Sequence, residues 1–332
     1  MYILIGIFII SVLGLLCGPI ISSYIFNHKI KPKIIKENYK KANEEPKYFY
    51  ELPRKRPPAL VSKIFNFYKE ESNNIEEFTS TMLDMYYKGS ILIKKTNDQI
   101  YIKVNKDIIV QECYEKIIFD IIEEAQGDSE NITINELKEY IYKERYTIID
   151  KRKEFSNLVN KKFRLEKLYD TFKLFSKFNE KLFWSSIAIY IILSIVLGCL
   201  SKAMFLSFVV LGLLYFTIVL NKTIFEEEVN IFNQEGSDEY ALWQAFSRYI
   251  DTFSNNNELL IYNCNKSKEF IPYAIAMRKS DEVINSIVSI CENEDQDSMI
   301  LAINISKEIS KLIFDLYDNR FQNMYIYNDI GL

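Results

Sequence analysis

Hydrophobic and polar positions divide the chain into uncharged blocks and amphipathic segments. Residues 1–28 contain no Asp, Glu, Lys or Arg, and a second uncharged stretch, 182–201, is separated by Lys202 alone from a third, 203–221. A helix needs roughly 20 apolar residues to cross the ~30 Å hydrocarbon core of a bilayer. The pattern therefore predicts three transmembrane helices, an N-terminal anchor over 1–28 and a helical hairpin over 182–221.

Lysines flank these predicted spans on one side. They are Lys29, Lys31, Lys33, Lys36, Lys40 and Lys41 after the first block, and Lys173, Lys177 and Lys181 before the second. Basic residues beside an apolar span mark the cytoplasmic side of a membrane. We expect a multi-pass protein of the cell membrane with its N-terminus outside and its soluble domains in the cytoplasm.

A basic, Pro-containing linker is predicted over residues 29–58, and a first soluble unit over 59–110. Asn74 followed three residues later by Glu77 has the pattern of a capping box, and Gly89 is placed to end the helix that follows. Two alternating segments around Asn97-Asp98 then predict a β-hairpin. Helix, capped helix and hairpin in this order are typical of a winged-helix-like unit.

A second winged-helix-like unit, with its wing reduced or lost, is predicted over residues 111–181. Glu112–Gln126 is amphipathic, and Thr133 with Glu136 makes another capping box before the next helix. Residues 165–181 are expected to continue as a helix into the transmembrane hairpin predicted over 182–221.

An acidic helical domain is predicted over residues 222–332. A short helix is expected to begin near Pro272, Ser280 to cap the next one, and the acidic loop Glu292–Asp297 to precede the last. The fold class expected for the chain is therefore a mainly α membrane protein. It would have three transmembrane helices, cytoplasmic winged-helix-like α+β units and a C-terminal helical domain.

The net charge of −4 conceals an asymmetry along the chain. Residues 29–181 carry a net charge of +5, whereas residues 222–332 carry −10. Opposite charges would let the two parts attract one another, and solvated surface charge is the other interpretation. The sequence leaves both open.

Candidate chemistry is sparse. The five cysteines are scattered without a CxxC pair, and His28 is the only histidine, which argues against a disulfide framework, a zinc ribbon or a His-based triad. Phosphate-loop and nucleophile-elbow motifs do not occur. We expect no catalytic, cofactor-binding or metal-binding residues and no enzymatic activity.

Several short motifs occur in an order found in one family. They are Arg56-Pro57-Pro58, the helix ending at Gly89 before a strand, then Trp243, Phe246 and Tyr249, and finally Pro272-Tyr273-Ala274. Over about residues 50–290 the chain resembles the C-terminal membrane and cytoplasmic half of the YciQ-like predicted membrane proteins, domain-of-unknown-function family 2207. Arg278 stands where that family usually has Gly. The resemblance implies no activity, the motif residues are expected to be structural, and the family's extracytoplasmic domain is not expected here.

Two functions remain as expectations. The first is a non-catalytic, cytoplasmic-facing scaffold or protein-interaction module, with the lipid bilayer, other membrane or cytoplasmic proteins, or a second copy as partners. The alternative is a membrane-tethered winged-helix DNA-binding regulator. Its recognition helix, Ile75–Gly89, carries Glu76, Glu77 and Asp84 against Lys88, which weighs against phosphate binding. The predicted β-hairpin, by contrast, carries Lys94, Lys95 and Lys103, which could contact phosphates.

Overall fold

The computed structural model describes residues 28–29, 32–33, 49–68, 75–172, 229–252, 264–291 and 293–329. The chain divides into two compact units. Unit 1 comprises Met1–Lys40 and Tyr169–Asn233, and unit 2 comprises Lys41–Leu168 and Gln234–Leu332.

Unit 2 contains helices and one small sheet. Its described elements are α1 (Pro58–Phe65), α2 (Ile75–Tyr87), β1 (Ile91–Thr96), β2 (Gln99–Val104), α3 (Cys113–Gln126), β3 (Ile132–Thr133), α4 (Ile134–Lys143), α5 (Arg145–Leu165), α6 (Gln234–Asp251), α7 (Cys264–Ala276), α8 (Asp281–Ile290) and α9 (Asn293–Asp329). Unit 1 contributes β4 (Tyr169–Phe172) and β5 (Val229–Phe232), which pair antiparallel.

The predicted β-hairpin is confirmed by the pairing of β1 with β2, and its turn explains the register of that pairing. Asn97 and Asp98 both have positive φ, 49° and 61°, as a two-residue turn matching the twist of the strands requires. Asn and Asp tolerate this conformation better than most residues because their short side chains bond locally. The turn places Ile93 opposite Ile102, and both side chains are buried.

A third strand joins this hairpin from further along the chain. β3 pairs antiparallel with β2, with Ile132 opposite Ile102. The Thr133–Glu136 capping box that follows β3 is confirmed, since each residue's side chain accepts a hydrogen bond from the other's backbone N–H. Strands of the two predicted winged-helix-like units thus form one sheet, while the boundary between those units stays a prediction.

Helix α2 lies at the centre of unit 2. It packs against α1, α7, α9 and β1. Phe78, Met82, Leu83 and Met85 on it are at most 1% exposed. Burying a side chain of this size stabilises the fold by about 1.5–3 kcal/mol, so this helix makes a large contribution to the core.

Three local predictions in the second half of the chain are wrong. Helix α7 begins at Cys264 and contains Pro272, instead of beginning near it. Helix α9 begins at Asn293, so most of the predicted acidic loop forms its first turns, where negative charge is favoured by the helix dipole. Within the expected helix over 165–181, residues 169–172 form the strand β4 instead, because β5, a distant segment, pairs with it. Residues 173–181 lie outside the described residues. The Ser280 cap, by contrast, is confirmed.

The predicted fold class also needs correction. The part of the chain that the structure describes is mostly helical with small sheets, and none of its helices is both long and apolar enough to cross a membrane. Helix α9 has the length, but charged residues such as Lys307, Glu308 and Lys311 interrupt its apolar positions. Apart from His28, the segments 1–28 and 182–221, where spans were predicted, lie outside the described residues.

Candidate functional site

A partly buried cluster of charges lies close, along the chain, to two points where the chain leaves and re-enters unit 2. The Arg56 guanidinium donates two hydrogen bonds to the Glu239 carboxylate, from Nε to Oε1 and from Nη2 to Oε2, the second at 2.8 Å. Its Nη1 donates a third hydrogen bond to Oε2 of Glu166. Glu166 comes two residues before Leu168, the last residue of the first stretch of unit 2, and Glu239 comes soon after Gln234, which begins the second. We call Arg56, Glu166 and Glu239 the arginine junction.

Glu239 is fully buried, so its charge requires compensation. Removing an ion from water costs several kcal/mol unless a partner and further hydrogen bonds replace the lost hydration. Arg54 Nη1 lies 3.2 Å from Glu239 Oε2, and Trp243 Nε1 donates to Oε1 at 3.3 Å. Burial lowers the pKa of Arg56, but the bonds to Glu239 and Glu166 outweigh it and raise that pKa overall. The guanidinium therefore stays charged.

Aromatic side chains cover the arginine junction. The Tyr273 hydroxyl donates to the backbone oxygen of Arg56 at 2.8 Å, and its ring stacks on Trp243 with centroids 5.6 Å apart. Phe246 packs edge-on against Trp243 and Phe270. The Trp243 and Tyr273 rings thus contact the arginine junction, and the burial of Glu239 strengthens the electrostatic interactions of its carboxylate.

The family-motif residues predicted from the sequence fall into three places. Arg56, Trp243 and Tyr273 meet at the arginine junction, where Pro57 and Pro58 begin α1 and Pro58 occupies the first helical position, which suits proline. Phe246, Tyr249, Pro272 and Ala274 are buried residues of α6 and α7. Gly89 ends α2 with φ +76°, and a Cβ there would meet Ile108 Cδ1 at 3.2 Å.

The two acids of the arginine junction were missed from the sequence. Glu239 precedes Trp243 by one helical turn on the buried face of α6, beside Tyr240 and Phe246. A carboxylate on an otherwise apolar helical face indicates a buried partner, and this signal could have identified it. Glu166 gave no comparable signal, because it is surrounded by lysines.

A second polar group lies on α2. Glu77 is 3% exposed, and its Oε1 is 2.9 Å from Lys63 Nζ. Burial raises the pKa of Glu77 to about 7, and Lys63 only partly opposes this. Further along, Lys88 Nζ bridges Asp84 Oδ2 at 2.6 Å and Glu115 Oε1 at 2.8 Å.

Arg278, the departure from the family pattern, ends α7 in a left-handed conformation with φ +58°. The backbone N–H groups of Arg278 and Lys279 bond to the carbonyls of Ile275 and Ala274, which is the Schellman motif. Glycine is favoured at this position because it has no Cβ to strain. The side chain makes an ion pair, with Nε 3.2 Å from Glu76 Oε1.

The turn between α4 and α5 exposes aromatic surface. Tyr142 and Tyr146 are 57% and 58% exposed, and the Arg145 guanidinium lies over the Tyr146 ring at 4.8 Å. Tyr and Arg are enriched at protein interfaces. We call Tyr142, Arg145 and Tyr146 the aromatic turn. Within the described residues, no three potential metal ligands cluster.

The fold is thus that of a helical domain with a small sheet and an arginine junction near the segments that connect it to the rest of the chain. Residues 45–287, most of the chain, match the family described as "Predicted membrane protein (DUF2207) C-terminal domain", and the chain belongs to this family. The resemblance noted from the sequence is confirmed, and membership supports a location at a membrane. No curated protein matches the chain, and neither does any solved structure.

Proposed function

We propose that the chain is a non-catalytic scaffold at the cell membrane, with unit 2 in the cytoplasm, where the aromatic turn binds a protein partner. The observation that carries this proposal is the exposure of two tyrosines and an arginine at one turn. Large amphipathic side chains at such a position supply contact area and hydrogen bonds together.

The aromatic turn is held by packed helices on both sides. Ile141 before it and Ile148 and Ile149 after it are at most 2% exposed. The Arg145 Nη2 also donates to the Tyr146 hydroxyl at 3.1 Å, which orients the ring. A surface that is already ordered loses little conformational entropy when it binds, so this geometry favours recognition.

The arginine junction supports the scaffold role in a different way. A bidentate guanidinium–carboxylate pair fixes distance and angle together. It therefore holds the linker, the end of α5 and the start of α6 in one arrangement. Three segments that are distant in sequence are thereby held together within unit 2, as a rigid scaffold requires.

The DNA-binding alternative gains no such support. Its recognition helix would be α2, whose residues from Glu77 to Leu83 are all buried. Base reading requires a helix whose side chains can enter the major groove. The hairpin lysines Lys95 and Lys103 are paired with Asp98 and Glu130 at 3.6 Å.

Photocrosslinking of the full chain in native membranes tests the proposal. A benzophenone amino acid replaces Tyr142 or Tyr146, and Asn157, an exposed residue further along α5, serves as the matched control position. We expect a discrete adduct from the two turn positions that Asn157 does not give and that Arg145→Glu abolishes. Co-expression of two differently tagged copies shows whether the partner is a second copy.

The same adducts from Asn157 would indicate non-specific proximity and overturn the proposal. Failure of both turn positions to give any adduct would do so as well. The melting midpoint of Arg145→Glu should match that of the wild type, because an exposed charge contributes little to stability.

A further inference from the structure

The C-terminal end of α5 combines exposed basic residues with an exposed leucine. Leu165, the last residue of the helix, is 67% exposed. Lys161, Arg164 and Lys167 around it are exposed too. Lys55 is also exposed and lies next in sequence to Arg56, which binds Glu166. We call Lys55, Lys161, Arg164, Leu165 and Lys167 the basic patch.

One acid, Glu166, lies between residues 161 and 168, and Arg56 engages it. Lys162 Nζ is 3.2 Å from Glu112 Oε1, and Ile109, three residues before Glu112 in the chain, is 87% exposed. Basic and aliphatic side chains are therefore exposed to water together at the end of α5.

The chain leaves unit 2 directly beyond the basic patch. Leu168 is followed by β4, which pairs with β5, so the outgoing and returning segments run side by side. The residues between these strands include the uncharged stretches 182–201 and 203–221. The basic patch is thus close, along the chain, to its most apolar sequence.

We propose that the basic patch docks on anionic lipid headgroups, with Leu165 entering the interfacial layer of the bilayer. Lysines and arginines near a membrane are attracted by anionic lipids, and a buried aliphatic side chain adds to the binding. A nucleic acid backbone would satisfy the charges but leave Leu165 in water. A lipid surface satisfies both, in a chain that belongs to a family of predicted membrane proteins.

Fluorescence of the full chain in nanodiscs tests this docking. With the five cysteines replaced by serine, Leu165→Cys or Thr147→Cys carries an environment-sensitive fluorophore. Thr147 is the matched control because it is exposed on the first turn of the same helix, about 27 Å away at 1.5 Å per residue. The discs contain phosphatidylcholine alone or with phosphatidylglycerol, together with a nitroxide-labelled lipid as quencher.

We expect quenching and a blue shift at position 165 in the anionic discs, weaker in the neutral discs and at high salt, and little change at 147. Lys161→Gln with Arg164→Gln should reduce the docked population roughly five-fold for each residue lost. Lys94→Gln with Lys143→Gln makes the same charge change at exposed positions outside the basic patch and should leave the signal at 165 unchanged.

Equal quenching at 165 and 147, or quenching that is the same with and without phosphatidylglycerol, would overturn the proposal. So would an equal loss of signal in the two double variants. If either double variant has a lowered melting midpoint, the comparison of the two label positions in the chain with its native charges still decides the question.

Discussion

Two helices of unit 2 end in the same backbone geometry with different residues. Gly89 and Arg278 both adopt positive φ and close a Schellman motif, after α2 and α7 respectively. A residue with a Cβ pays about 1–2 kcal/mol for this conformation, and glycine does not. The ion pair of Arg278 with Glu76 offsets part of that cost.

Substitutions at Arg278 separate these two contributions. Both Arg278→Gly and Arg278→Ala remove the ion pair with Glu76, but only glycine relieves the strained backbone. The glycine variant should therefore be more stable than the alanine variant by about 1 kcal/mol. Thermal melting of the purified full chain measures the difference. Equal midpoints for the two variants would contradict the backbone explanation.

Glu77 makes the stability of unit 2 depend on pH. Its pKa is about 7 in the folded chain, above the ordinary value of 4.5. The folded state thus binds the extra proton between these values, so this group's contribution to stability falls as pH rises from about 4.5 to about 7. The loss is at most about 3 kcal/mol for a shift of this size.

Glu77→Gln mimics the protonated carboxyl and should remove this dependence. The melting midpoint of Glu77→Gln minus that of the wild type should be larger at pH 8 than at pH 5. A midpoint difference that stays constant across this range would show that Glu77 is not the cause. Lys63→Met removes the cation that lowers the pKa of Glu77, so in that variant the transition should move to higher pH.

At the scale of elements, the arginine junction joins three segments that local interactions would leave separate. Arg56 and Glu239 are 183 residues apart, and Arg56 and Glu166 are 110 apart. Pairing between the linker, the end of α5 and the start of α6 therefore depends on the packing of α1 against both helices.

Breaking the arginine junction should loosen all three segments together. Glu239→Gln leaves the Arg56 charge less compensated in a buried site, which typically costs about 3–5 kcal/mol. Hydrogen exchange of the full chain should increase at residues 53–58, 161–168 and 234–243. Glu235→Gln is the matched control, because it is the same substitution on the same helix and the exposed pair of Glu235 with Arg54 should contribute under about 1 kcal/mol. Faster exchange confined to α6 would argue against one coupled junction.

At the scale of the whole molecule, sequence-distant helices complete one core. Helix α9 packs on α2 and α5, with the Phe314 ring against Phe78 and beneath the Arg152 guanidinium at 3.9 Å. Within unit 2, part of the charge asymmetry of the sequence forms ion pairs. Basic residues that precede the uncharged stretches 182–201 and 203–221 pair with acidic residues that follow them. These pairs are Arg54–Glu235, Arg56–Glu239 and Lys138–Glu308.

Local features were predictable because they depend on residues a few positions apart. The Thr133–Glu136 box, the Asn97-Asp98 turn and the Ser280 cap each follow from side chains bonding to nearby backbone groups. The start of α7 and the strand β4 were missed. In the first case Pro272 lies inside the helix, although a proline in such a pattern indicates a boundary, and in the second the partner strand lies far away in sequence.

The sequence by itself determined the family, the β-hairpin, the Thr133 and Ser280 caps and much of the helical order of unit 2, while the Asn74 cap lies outside the described residues. The tertiary structure decided which charges meet, because a buried carboxylate such as Glu239 is stable only where packing brings a guanidinium to it. It also decided that α2 is a core helix, since the residues that cover it come from α1, α7 and α9. Periodicity shows that a helix has an apolar face, but only the fold shows that its other faces are covered too.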